Sequence, residues 1–538
     1  MRLTLESIVK DAEDWKRAGV KLPGFDIKAV REETARAPEW VHFGPGNIFR
    51  GFLGSVAQHL IEKGLLKTGI VAIGTRNPAV IENIYKANDC LTLNVLMNPD
   101  GTTSREILAG IADGVQIGLG NPDFAEGTAR IVSAFRSPSL KLVTFTVTEK
   151  AYKITNPDGS LQDQAAADME NGPSVAKHSM GVVAALLLER FKAGRLPIAV
   201  VSMDNCSHNG DKLKASVVAI AKAWVAKGFA GQDFVDYLED RSVCSFPWTM
   251  IDKITPRPHQ KVYESLKADG IEGMEPEGTA AGFVNAEKPQ TLVIEDCFPN
   301  GRPPFEKLDG EGVYLGTAET VDMTEKMKVT TCLNPLHTSM SMYGCLFGYT
   351  LICDEMKDAD IVKLVKRLGY VEGLPVVVDP KIISPKAFLD EVVEKRLPNP
   401  FMPDDPRRIA TDTSAKVGPR FGETIKSYVR EKKDFSNLVS LPLAIAGWLR
   451  YLLAVNDRGE PMQVSDDPLR EELQAKLADV VWNDPKSYKG QIRPILANES
   501  IFGSDLTKTP LADRIEGYFV RLLGGPGSAR ALLQSELR

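Results

Sequence analysis

WVHFGPGNIFRGFLGSVAQHLIEKGLLKTGIVAIG, residues 40–74, is the stretch on which the fold turns. Trp40–Phe43 is a short β-forming run, and Gly44-Pro45-Gly46 then breaks it with turn residues. Apolar residues recur at helical spacing from Ile48 to Leu66, and Gly69–Gly74 is a second apolar run bounded by turns. Strand, glycine-rich turn, helix and strand in so short a span make the opening βαβ unit of a doubly wound sheet.

Working outward, LKLVTFTV (140–147), PIAVVSM (197–203) and TLVIED (291–296) are apolar runs of the same bounded kind. Strands alternating with helices to about residue 300 imply an α/β domain with a mostly parallel sheet. From Glu325 onward the periodicity turns helical, as in SMSMYGCLFGYTLICDEM (339–356) and LVSLPLAIAGWLRYLLAV (438–455). The expected fold is therefore a Rossmann-like N-terminal domain followed by a mainly α-helical C-terminal domain. Residues 39–316 are assigned to the first and 317–538 to the second. Residues 1–38 are expected as an N-terminal helical arm, since Leu5, Ile8, Val9 and Trp15 recur at helical spacing before Pro23-Gly24. A cleft between two such domains is a common meeting place for cofactor and substrate.

Composition narrows the function class. The 538 residues are 43% apolar and 25% charged, which is ordinary for a folded chain. Net charge is −6, so no domain-wide basic field exists to hold nucleic acid, and none is expected as a partner. Seven scattered cysteines with no CxxC pair point to a reducing, cytoplasmic setting rather than a disulfide framework. The first twenty residues carry charges throughout and lack the apolar core of a secretory signal. No apolar run reaches the ~18 residues of a membrane span, so no membrane partner is expected.

Three constellations carry chemistry. In Gly44-Pro45-Gly46-Asn47-Ile48-Phe49-Arg50, the glycines allow a tight turn and let a pyrophosphate approach a helix N-terminus. Phe49 stands where a complete GxGxxG would have its third glycine, and Arg50 adds a cation for phosphate. The second strand ends Gly74-Thr75-Arg76 without the acid that usually meets an NAD ribose, so NADP stays open beside NAD. Ser202-Met203-Asp204-Asn205-Cys206-Ser207-His208-Asn209-Gly210 follows an apolar strand, where doubly wound sheets hold ligands; its two asparagines suit a carbonyl oxygen, and an Asn-Gly turn explains them equally well. Glu325-Lys326-Met327-Lys328, then Asn334-Pro335-Leu336-His337, offers a lysine for general acid/base work with an amide and an imidazole nearby. Spacing alone favours a solvated charge run ahead of a helix. The remaining histidines form no ligand grouping, so no metal is expected.

Together these segments resemble the long-chain polyol and mannitol dehydrogenase family, from about Trp40 to Leu453. GPGNIFR is similar to the family's nucleotide loop, and LVTFTVTEKAY to its Thr-Val-Thr-Glu segment. VVSMDNCSHNG, CSFPWTMIDKITP, VIEDCFPNGRPPFE, EKMK…NPLH, RRIATDTSAKVGPR and LAIAGWLRYL follow in the family's order. The resemblance implies a metal-independent, NAD-dependent oxidoreductase. It makes Lys328 the catalytic acid/base, Asn205 and Asn334 the amides on the reacting oxygen, His337 a substrate-binding group and Glu325 a gate for the proton. Cofactor contacts fall on Gly44, Gly46, Asn47, Phe49, Arg50, Thr75, Arg76 and Thr148, and substrate contacts on Asn209, Arg408 and Lys416. Lys328 to Asn334 is one residue longer than the family spacing, which leaves Lys326 as the alternative base. The implied substrate is a small sugar acid or polyol: fructuronate reduced to mannonate first, then tagaturonate or mannitol. For a sugar acid, Arg408, Lys416 and Arg420 supply cations. A catalytically silent NAD-binding sensor would keep the glycine loop but has no need of Lys328, Asn205, Asn334 and His337 together.

Overall fold

In the computed structural model, which describes every residue except Glu277 and Pro403, the chain divides into two units. The first comprises residues 1–97 and 102–322, the second 98–101 and 323–538. The division falls inside the helix Ala318–Met327 rather than at the expected 316/317 boundary.

The first unit is built on a six-stranded parallel sheet of β1 (Trp40–Phe43), β2 (Ile70–Gly74), β3 (Ile111–Gln116), β4 (Leu142–Phe145), β5 (Ile198–Ser202) and β6 (Cys244–Ser245). Their order is β3-β2-β1-β4-β5-β6, the doubly wound Rossmann order. Every residue of β1, β2, β4 and β5 is buried, because helices cover both faces. The two-residue period of the strands deals their side chains to two cores. Val41, Phe43, Val71, Ile73, Val143 and Phe145 enter one, with the helices Ser179–Lys192 and Asn209–Ala226. Trp40, Ile70, Ala72, Leu142 and Ala199 enter the other, with Phe49, Phe52 and Val56.

Two smaller sheets depart from expectation. The TLVIED run forms a strand, Thr291–Glu295, outside the parallel sheet: it pairs antiparallel with Thr249–Asp252 and parallel with Val313–Gly316. Residues 1–38 are not a separate arm. Val20–Lys21 is the edge strand of a four-stranded sheet with Thr103–Leu108, Thr92–Met97 and Phe283–Glu287. Leu3, Ile8 and Trp15 share a core with Leu93, Val95 and Phe283 of that sheet.

The second unit is helical around one core running from Met327 to Leu537. At its centre, the helix Ser440–Tyr451 is buried on every side, as its apolar sequence requires. Its N-terminus is capped by the buried Glu372 carboxylate, which accepts from the amides of Val439 (2.9 Å), Ser440 (2.7 Å) and Leu441 (2.8 Å). Gly447 lets the helix Asn334–Phe347 approach: a Cβ there would lie 2.9 Å from the Tyr343 ring. No helix of the described residues is long and apolar enough to cross a membrane.

Candidate active site

At the sheet's switch point, where the order reverses between β1 and β4, lies a cavity of about 330 Å3. Gly44 and Gly46 line it after β1, Thr75 and Arg76 after β2, and Thr146 and Thr148 after β4. Gly44 has φ +97°, and a Cβ on it would lie 2.1 Å from the Thr146 carbonyl oxygen, so no other residue fits. Gly46 differs: a Cβ there meets no protein atom, which leaves the backbone open to a ligand in the cavity. No Asp or Glu among the described residues lines this cavity.

A chain of hydrogen bonds fixes the loop from below. Trp40 Nε1 donates to Thr144 Oγ1 (2.7 Å), and Thr146 Oγ1 donates to the Gly44 carbonyl (3.0 Å). Between the two threonines, His42 joins Thr144 through Nδ1 (2.7 Å) and Thr146 through Nε2 (2.8 Å). Because the Thr146 hydroxyl donates to Gly44, it accepts from His42, which assigns the proton to Nε2 of a neutral ring. Burial holds the His42 pKa well below the usual histidine range, and the ring stacks on Phe49 at 3.8 Å. Reading the sequence gives this histidine no part in the loop. Its signal was the alternation of W-V-H with T-F-T on neighbouring strands.

Three residues expected at the cofactor do not reach the cavity. Arg50 is buried, with Nη1 and Nη2 on the carbonyls of Ala281 (2.8 Å) and Gly282 (3.0 Å), so it ties two segments together instead of meeting phosphate. Phe49 is wholly buried beneath the loop. Asn47 donates its side-chain amide to the Thr279 carbonyl (3.0 Å).

At the end of β5, Asp204 was passed over. Its Oδ2 accepts from the Val147 amide (2.9 Å) and from the Tyr152 hydroxyl, joining the ends of β4 and β5. Burial pushes its pKa up to about 6, against the hydrogen bonds from Tyr152 and Val147. Asn205 follows on the exposed side of the loop. Asn209, expected at the substrate, is wholly buried instead. It donates to the carbonyls of Asp204 (3.0 Å) and Thr249 (3.1 Å) and accepts from the Thr249 amide (3.0 Å), a structural clamp.

The second unit carries the remaining candidates. Glu325 stands on the helix Ala318–Met327, which runs into a π turn, Lys328–Cys332. The Leu333 amide donates to the Lys328 carbonyl five residues back (3.1 Å), and Asn334 then opens the next helix. A π turn takes up one more residue than an α-helical turn, and it lies between Lys328 and Asn334. Lys328 is 4% exposed, whereas Lys326 lies on the surface.

His337 Nε2 is 3.6 Å from Asp404, which also forms an ion pair with Arg408. Burial pushes the His337 pKa down to about 4; Asp404 opposes this, and Arg420, Arg408 and Arg396 reinforce it. Lys416 donates to the Thr411 and Ile409 carbonyls. No group of three or more His, Cys, Asp or Glu suited to a metal ion occurs among the described residues.

Comparison with known proteins places these features. The family model of the mannitol dehydrogenase Rossmann domain matches residues 38–307, and that of the mannitol dehydrogenase C-terminal domain matches 320–519. Over 540 aligned residues the chain is 48% identical to D-mannonate oxidoreductase of Thermotoga maritima, covering 99% of this chain and 98% of that protein. A D-sorbitol dehydrogenase solved in substrate-free form is similar at TM-score 0.78 and 25% identity, covering 96% of this chain and 98% of that one. Mannitol 2-dehydrogenase of Pseudomonas fluorescens, solved with NAD and D-mannitol, is similar in fold at TM-score 0.69 and 23% identity, with 99% of each chain covered.

Proposed function

The chain belongs to the mannitol dehydrogenase family, and from that premise we propose that it interconverts D-mannonate and its keto acid, D-fructuronate, with NAD(H). It is an NAD-dependent secondary-alcohol dehydrogenase, and its substrate is a small sugar derivative. The observation that carries the choice of mannonate is the likeness to D-mannonate oxidoreductase along nearly the whole of both chains.

The residues around the switch-point cavity fit a dinucleotide. Gly46 leaves space that a side chain would fill, and Gly44 is held by Thr146, so the backbone there is preorganised. Bound NAD(H) supplies or accepts the hydride at the carbon that bears the reacting oxygen. In reduction, Lys328 gives its proton to that oxygen as negative charge develops; in oxidation, the neutral lysine removes the hydroxyl proton. Asn334 directs an amide at the same oxygen, and the family resemblance gives Asn205 an equal part. Glu325, one helical turn before Lys328, passes the proton onward. Cytoplasmic placement belongs to the same reading, on the scattered cysteines of the sequence.

The test is a substrate panel. Purified enzyme is given NADH with D-fructuronate, D-tagaturonate or D-fructose, and oxidation is followed optically. D-fructuronate is expected to show the highest kcat/KM. A preference for D-fructose would turn the reading to a polyol dehydrogenase.

A further inference from the structure

We propose that Arg420 is the residue that selects a sugar acid, by binding the substrate carboxylate at the end of the molecule remote from the ketone. This rests on the reading of the reaction given above and adds to it the group that recognises the acid.

The wholly buried arginines Arg50, Arg190 and Arg450 form no ion pair with a carboxylate among the described residues, and their guanidiniums are satisfied by backbone carbonyls. Arg190 reaches Phe135, Ser137 and Leu140, each at 2.8 Å, and Arg450 reaches Val455 (2.7 Å) and Asn456 (3.3 Å). Arg420 is different: it is half-buried, with part of the side chain open to a ligand. Its guanidinium bonds through Nη1 to the Thr338 hydroxyl, and no carboxylate of the described residues forms an ion pair with it. Burial alone acts on its pKa, pushing it down to about 10. A desolvated cation without a counter-charge is costly, and a bound anion removes that cost. A planar guanidinium matches a carboxylate with two parallel hydrogen bonds.

The neighbouring cations are less available. Arg408 is paired with Asp404, and Lys416 spends its ammonium on the Thr411 and Ile409 carbonyls. Thr338, which orients Arg420, directly follows His337, so the site adjoins a residue already assigned to substrate. The backbone that carries Arg420 is also held firmly. It lies in the π turn Gly418–Gly422, which packs against the turn Lys328–Cys332. A Cβ on Gly418 would lie 2.7 Å from the Ile501 carbonyl oxygen, and one on Gly422 would lie 1.9 Å from that of Phe502. The guanidinium is therefore presented from a fixed segment.

The experiment compares D-fructuronate with D-fructose, which has a hydroxymethyl group in place of the carboxylate. For Arg420→Met, kcat/KM for the acid should fall ~100-fold, mainly through KM, and the acid-to-neutral ratio should fall with it. Thr338→Val keeps the charge but releases its orientation; the ratio should fall ~10-fold. Arg408→Met should move the ratio only a few-fold. An unchanged ratio in Arg420→Met overturns the assignment. If melting shows that this variant is unfolded, an unchanged ratio in Thr338→Val overturns it equally. Wild-type enzyme that turns over D-fructose and no sugar acid defeats the reading of the reaction itself, a separate outcome.

Discussion

Lys326 and Lys328 are two residues apart, and burial separates their roles. Lys328 is 4% exposed and Lys326 faces solvent, so only the former has the dry surroundings in which proton transfer to a substrate oxygen is efficient. Lys328→Ala is expected to lower kcat by ~10²–10⁴-fold in both directions, with NADH affinity by fluorescence titration nearly unchanged. Lys326→Ala should cost at most a few-fold. The reverse result would transfer the acid/base role to Lys326. The two loop glycines divide in the same manner. Gly46→Val should abolish NADH binding and leave the melting curve intact, because a side chain there meets no protein atom. Gly44→Ala should lower the melting temperature, because its Cβ collides with Thr146. NADH bound normally by Gly46→Val would exclude this loop as the phosphate site.

At the scale of elements, the strand ends and the loops act as one device. The chain from Trp40 through Thr144, His42 and Thr146 to Gly44 couples β1, β4 and the glycine loop with no charge in it. His42→Leu leaves two threonine hydroxyls short of a partner in a buried site, a loss of ~1–3 kcal/mol that falls on loop geometry. The expected result is a rise of ~10-fold in the Kd for NADH, with kcat at saturating NADH close to wild type. A fall in kcat at unchanged Kd would assign His42 to chemistry rather than to the loop. In the second unit, the π turn at Lys328–Cys332 plays the corresponding part. It takes up one residue between Lys328 and Asn334 without altering the helix on either side.

For the whole molecule, the buried histidines weaken the fold in acid. His42 and His337 have pKa values below the unfolded value of about 6.5, so below that pH the unfolded chain binds protons that the native chain refuses. Stability is complete above about pH 6.5 and falls as the pH drops towards the native value, about 4 for His337. Asp204 works in the opposite sense: its pKa of about 6, against the usual 3.8, lets the native state take up a proton first. His178 and His259 are displaced in the same direction as His42 and His337, and Asp168, Glu355, Glu372 and Asp457 in the same direction as Asp204, so the part played by one histidine is read as the difference between wild type and variant. His42→Gln, which cannot ionise, should keep more of its pH 7 melting temperature at pH 5 than the wild type does. The same pH dependence in both proteins would contradict this account.

The sequence by itself determined the elements whose causes are local. Period-two apolar runs, glycine turns and helical spacing located β1, β2, β4, β5 and the helical second unit, because strand and helix periodicity follow from neighbours along the chain. The order of landmarks from GPGNIFR to EKMK…NPLH was equally legible, and with it the family. Tertiary structure decided what the polar side chains meet. Arg50 and Arg420 show why. Each lies in a π turn beside glycine and phenylalanine, FRGFL in one case and GPRFG in the other. Arg50 meets the carbonyls of Ala281 and Gly282, more than two hundred residues away, and becomes a structural tie. Arg420 meets the hydroxyl of Thr338 and, among the described residues, no carboxylate, so it keeps its charge for a ligand. The burial and partners of a long charged side chain depend on which distant segment packs opposite it, and spacing along the chain does not encode that.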